Sequence, residues 1–135
     1  MFAAETDVKL TILPLFSALF ALFFVALSLN VIRLRHRHKV ELGTGHNQSL
    51  ERAMRVHANF AEYVPLSLLL ILTLEINQAN PAILAGLCLA LLLGRLIHAF
   101  GVSREKEKLV YRVTGMSLTF GVLLSAAFAN ILSVI

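Results

Sequence analysis

The sequence is poor in most of what soluble enzymes are built from. It has no Trp, one Cys and three Pro in 135 residues, and only 15% of it is charged. A single Cys excludes an internal disulfide framework, and without a Cys-x-x-Cys pair there is neither a zinc knuckle nor a dithiol redox centre. Soluble domains are about 25% charged, so a chain with this little charge and 58% AVILMFWYC residues needs a solvent other than water for its surface. The mean hydropathy of +0.79 points the same way. No internal repeat or low-complexity linker divides the chain. Four membrane spans of about 20 residues each would use some 80 positions, which excludes a separate nucleotide-binding domain.

What is present is a series of apolar runs. Leu10 to Ile32 carries no charge and suffices for about 34 Å of helix. A secretory signal would open on basic residues and have a shorter apolar core; here Glu5 and Asp7 stand in front of a longer one. The second segment, Ser49 to Ile76, has a charged first half and an apolar second half. Pro65 lacks an N–H and crowds the carbonyl of Ala61, which predicts a kink at that boundary. Asn80 as N-cap and Pro81 at the first helical position open a third span, and the fourth enters at Lys108 and is uncharged after Arg112. The reading is an all-α integral membrane four-helix bundle, a single domain over 1–135 with spans of about 10–35, 49–76, 81–101 and 108–135.

The positive charge is segregated. All Lys and Arg but Lys9 lie around the first connection (Arg33 to Lys39, Arg52, Arg55) or the third (Arg95, Arg104, Lys106, Lys108, Arg112). With four spans these connections share one side, which the positive-inside rule makes cytoplasmic, with both termini on the opposite face. The pI of 9.7 thus follows from topology, and with no soluble basic domain or recognition motif it implies no nucleic-acid partner.

The polar half of the second span is where chemistry concentrates. At about 100° per residue, Arg52, Arg55, Asn59, Glu62 and Tyr63 fall within an arc of about 100°, while His57 lies some 140° from Arg52. Glu51 is one turn from Arg55, at pairing distance along the helix. Two guanidiniums, an amide, a carboxylate and a phenol on one face offer clamps for carboxylates, an acceptor for an ammonium and neutral donors between them. That is the complement of a small zwitterionic peptide. The competing reading is structural, with Arg55 and Glu62 neutralising each other or neighbouring helices. In both readings the charges need partners, and an oligomer whose interface receives this face supplies them.

Other signals point to packing or anchoring. His36 and His38 are some 200° apart on a helix and surrounded by cations, an arrangement that repels a metal; no metal site is expected. The run Arg33 to Lys39 reads as a polybasic segment holding anionic lipid headgroups. Cys88 lies mid-span among Leu and Ala and reads as a packing residue; the Phe side chains of the first span read as lipid-facing or packing surface. Gly94, Gly101, Gly115 and Gly121 are candidates for close helix contact.

The run Glu51-Arg52-x-x-Arg55-x-His57-x-Asn59-x-x-Glu62-Tyr63-x-Pro65 resembles the signature of the MAPEG family, membrane-associated proteins in eicosanoid and glutathione metabolism. The resemblance extends over essentially the whole chain in length, span number and charge distribution. It implies a homotrimer of four-helix subunits with glutathione held between subunits near the cytoplasmic side. On the matching positions it implies that Arg55, Asn59, Glu62 and Tyr63 contact glutathione, with His57 as a further contact. Ser28-Leu29-Asn30-Val31-Ile32-x-x-Arg35 resembles the first-helix segment whose Arg grips a glutathione carboxylate, which makes Arg35 a candidate. Arg95-x-x-His98 resembles the family's Arg-x-x-Tyr element, with His98 in place of the Tyr and Val102 where a second Tyr stands in the leukotriene synthase. Lys108-x-x-x-Arg112 resembles the basic pair of the prostaglandin synthase. The resemblance thus names Arg112 as the thiol-activating residue, with Lys108 in support and Arg104 as runner-up.

The function so implied is a glutathione transferase or peroxidase that takes a lipophilic electrophile or hydroperoxide from the lipid, with glutathione as co-substrate. Similarity to short bacterial members implies a bacterial inner membrane. The alternative from another class is a non-catalytic lipid-binding or scaffold protein of the same family. A small transporter would show inverted repeats or Gly/Pro-interrupted spans in corresponding halves, and there are none.

Overall fold

The computed structural model describes residues 9–104 and 108–135; Glu5 and Asp7, used against a secretory signal, and Lys106, used in the charge argument, lie outside them. The architecture is all-helical: α1 Leu13–His38, α2 Gln48–Ile76, α3 Pro81–Val102 and α4 Leu109–Leu132. Each is long and apolar enough to cross a membrane. Short connections make successive helices antiparallel neighbours. α3 and α4 form the closest pair, α2 packs on both, and α1 leans on α2 and barely touches α3.

The helix ends differ from the expected spans for local reasons. α1 starts at Leu13 and continues through the basic run to His38, because Arg35, His36, Arg37 and His38 in its last turn complement the negative end of the helix dipole. Lys39 then stops it in the left-handed region, with φ 54°. α2 is capped by Asn47, whose side chain accepts from Leu50 N at 2.9 Å, and it runs through Pro65 as one helix. α3 has the expected cap, Asn80 Oδ1 accepting from Ala82 N at 2.8 Å, with Pro81 at its start. Lys108 is the N-cap residue of α4 and the helix ends at Leu132.

α1 has no side-chain cap of its own. Instead Glu75, in the last turn of α2 and 6% exposed, accepts from the backbone N–H groups of Thr11 and Ile12 through Oε1 and of Leu13 through Oε2, at 2.7, 2.7 and 2.8 Å. The first N–H groups of a helix have no intrahelical acceptor and carry partial positive charge. A carboxylate brought from the far end of the neighbouring helix satisfies them and fixes the pairing of α1 with α2.

The core is thin. On α2 the buried residues Leu50, Ala53, Val56, Phe60, Val64, Ser67, Ile71 and Leu74 recur at steps of three and four, one largely apolar stripe turned inward. Phe16 and Phe20 of α1 are buried against it, and Phe60 makes ring contacts with Phe20, Phe23 and Phe24, so the Phe-rich span is packing surface. Cys88 is fully buried. Outside, Leu22, Leu69, Leu93 and Phe128 are exposed along the helices, an apolar exterior suited to lipid.

α3 and α4 approach through glycine. A Cβ added at Gly115 would lie 2.7 Å from both the Gly94 carbonyl oxygen and His98 Cβ, and one at Gly101 would lie 2.6 Å from Tyr111 Cβ. Gly94 and Gly101 of α3 and Gly115 of α4 therefore bring the two backbones together, as expected. A Cβ at Gly121 would meet nothing within 4 Å among the described residues, so Gly121 takes no part in this approach.

Candidate functional site

A pocket of about 470 Å³ opens between α2, α3 and α4, within the range of about 300–1,000 Å³ typical of small-molecule sites. Its wall is the polar stripe of α2: Gln48, Glu51, Arg52, Arg55, Asn59, Glu62 and Tyr63. The helical phase that turns Leu50, Val56 and Phe60 into the core turns these residues away from it. α3 contributes His98 and Val102, and α4 contributes Arg112 and Met116. Arg55, Glu62 and Arg112 are exposed, Asn59 and Tyr63 half-buried, and His98 buried at 5% exposure. Tyr63 is held by an edge-to-face contact with Phe120, ring centroids 5.5 Å apart.

Of the residues expected at the site, the fold brings together Arg55, Asn59, Glu62, Tyr63, His98 and Arg112. The other four lie elsewhere in the single chain. His57 faces α1, its ring stacked on Phe24 at 4.6 Å and its Nε2 3.0 Å from Ser28 Oγ. Since Ser28 Oγ donates to Phe24 O, it accepts from His57, which puts the ring proton on Nε2. Arg35 turns into the α1–α2 loop, where Nη1 donates to the carbonyls of Glu41 and Gly43 at 3.3 and 3.0 Å; it also lines a separate cavity of about 600 Å³ with His36 and Lys39. Arg104 lies over the Phe100 ring, 4.0 Å from its centroid, a cation–π contact. Lys108 is exposed at the α4 N-cap.

The pocket lining carries three guanidiniums, Arg52, Arg55 and Arg112, against two carboxylates, Glu51 and Glu62, a balance that favours an anion. Arg52 also ties the site to α3: its Nη1 donates to the Val102 carbonyl at 3.2 Å, one of the C-terminal carbonyls that lack a helical partner.

Behind the pocket floor lies a residue that spacing alone did not single out as part of the site. Arg95 is 2% exposed. Its Nη1 donates to Asn59 Oδ1 at 2.5 Å and its Nη2 to Thr119 Oγ1 at 2.5 Å and to the Gly115 carbonyl at 3.3 Å, with Met116 Sδ 3.5 Å away. Every one of these partners is neutral. A charge buried inside a span is costly, and here dipoles from α2 and α4 compensate it. The available signal was its position one turn before His98 on a helix with no other charge.

The MAPEG family model matches residues 13–132. The chain belongs to the MAPEG family. Among characterised sequences it is similar to the inner membrane protein YecN of Escherichia coli strain K12, at 35% identity over 117 residues, covering 87% of this chain and 88% of the relative. The protein of the same name from Escherichia coli O6:H1 matches to the same extent. The family match spans all four helices and the residues that line the pocket between them.

Proposed function

We propose that this MAPEG member is a glutathione-dependent transferase of the bacterial inner membrane, working as a homotrimer on lipophilic electrophiles or hydroperoxides. The observation that carries the reading is the convergence of Arg55, Asn59, Glu62, Tyr63, His98 and Arg112 on one pocket. Glutathione is an anionic peptide with two carboxylates, an ammonium and a thiol. Arg55 offers forked donors to one of its carboxylates and Glu62 an acceptor for its ammonium. The membrane placement draws on four spans of sufficient length and on the inner-membrane relative.

In this reading Arg112 faces the thiol from α4. A free thiol of pKa about 8.5 is only a few per cent thiolate at neutral pH, and a neighbouring guanidinium lowers that pKa. The thiol proton leaves to water, and the thiolate remains opposite Arg112. Its sulfur attacks an electrophilic carbon arriving from the lipid, forming the S–C bond as the leaving group departs with its electron pair. With a hydroperoxide the sulfur attacks the terminal oxygen instead, the O–O bond breaks, and the departing alkoxide takes a proton from water, leaving an alcohol and the sulfenic acid of glutathione. The thiol of a second glutathione then attacks the sulfenic sulfur, forming the disulfide and releasing water. Arg35 and His57, turned away from the pocket of their own chain, are assigned to the neighbouring subunit's site, consistent with glutathione lying between subunits.

The test is glutathione binding to the detergent-purified protein, with the ultraviolet absorbance of the thiolate as second readout. Wild type is expected to bind and show the thiolate; Arg112→Ala is expected to bind without the thiolate signal, and Arg55→Ala to bind at least about ten-fold more weakly, the loss of a charge-assisted bond. A folded oligomer that binds no glutathione at millimolar concentration would exclude the enzyme. It would favour the second reading, a lipid-binding member of the family, which the apolar exterior also suits.

A further inference from the structure

The Asn59 amide is oriented by chemistry. Arginine has donors only, so the Asn59 atom facing Arg95 Nη1 at 2.5 Å is Oδ1. Among the described residues this is the one hydrogen bond of the Asn59 side chain, and Asn59 lines the pocket. With Oδ1 turned to the floor by Arg95, the NH2 group is the end of the amide left to face a ligand. Arg95 is itself locked: Thr119 Oγ1 donates to the Gly115 carbonyl at 2.9 Å, so toward Arg95 it accepts, and the carbonyl accepts as well. The guanidinium is thus held by α4 acceptors on one side and the Asn59 oxygen on the other.

We infer that Arg95 is a positioning residue that holds Asn59 as an obligate donor, so that Asn59 Nδ2 donates to a carbonyl or carboxylate oxygen of the bound peptide. The inference rests on the glutathione reading and specifies the polarity of one contact in it. It also links α4 to the ligand: the same guanidinium that orients Asn59 holds the α4 turn after Arg112, through Gly115 and Thr119.

Asn59→Asp separates this role from a structural one. The aspartate keeps an acceptor for Arg95 and adds a counter-charge, so the thermal midpoint of the purified oligomer should hold or rise. Its second oxygen faces the ligand as an acceptor where a donor is required, so glutathione affinity should fall at least about ten-fold. Stability and affinity moving in opposite directions is the expected signature. Arg95→Met, which frees the amide to rotate, should also weaken binding, and Arg95→Lys, which restores a donor to Oδ1, should recover part of it. Wild-type binding with an Asn59→Asp affinity equal to it would overturn the inference and leave the functional reading standing. A folded wild type that binds no glutathione would overturn both. Should Arg95→Met fail to fold, the Asn59→Asp comparison decides alone.

Discussion

Two buried ionisable residues do different work in this protein, and the contrast lies in what each one touches. Glu75 and Arg95 are both nearly inaccessible. Glu75 meets three backbone donors at the start of α1 and nothing in the pocket; it is a cap supplied by another helix. Replacing it by Ala leaves those donors without an acceptor, at a cost of about 1–3 kcal/mol. The thermal midpoint of Glu75→Ala in detergent should therefore drop clearly, while Glu75→Gln, which keeps an oxygen for Thr11 and Ile12, should drop less. Glutathione affinity of the folded fraction should be unaffected, since no pocket residue depends on this contact. Arg95 by contrast touches Asn59 directly, and its replacement is expected at the ligand.

At the scale of elements, the pocket exists because α2 has two faces with different partners. Its apolar stripe takes α1 and the core, and its polar stripe is left for α3 and α4 to enclose. The enclosure depends on how near α4 comes to α3, which Gly115 sets by letting the backbone reach Gly94 and His98. The atoms that a side chain would meet there are backbone and a Cβ, which have no rotamer to yield. Gly115→Ala should force the helices apart and destabilise by about 1–3 kcal/mol, as overpacking does, and weaken glutathione binding by displacing Arg112. Gly121→Ala, in open space on the same helix, is the control expected to keep wild-type stability and binding. Thermal melting and equilibrium binding on the two variants check both statements.

For the whole molecule, the polar stripe and the apolar exterior together call for neighbours. Arg35 and His57 leave the pocket of their own chain incomplete relative to the set implied by the family signature. If a neighbouring copy supplies them, two individually inactive variants should complement one another. Co-expression of Arg35→Ala and Arg112→Ala subunits in equal amounts should restore about one quarter of the sites in a cyclic oligomer, since each intact contributor is present with a chance of about one half. Activity no higher than that of either variant alone, in demonstrably mixed oligomers, would show that Arg35 does not act across the interface. The oligomer mass in detergent, expected to correspond to three subunits, tests the assembly separately.

Much of this was legible in the order of residues. Four apolar runs, the Asn80 and Pro81 start of α3 and the grouping of Arg55, Asn59, Glu62 and Tyr63 on one side of α2 all follow from periodicities of a single helix, which local sequence contains. So does the exclusion of His57 from that side. What no single helix contains is which face another helix will meet. The part Glu75 plays is set only where the end of α2 lies beside the start of α1. Arg95 reads as one more basic residue near the third connection until α2 and α4 close around it and every partner proves to be an acceptor. The glycines likewise look equivalent along the chain, and only the crossing of α3 and α4 separates Gly115, in backbone contact, from Gly121, in open space. Sequence alone determined the helices and their chemistry because hydrogen bonding and amphipathic phase are short-range. Tertiary structure decided the polarity of the pocket floor, because that depends on hydrogen bonds between residues 36 and 24 positions apart.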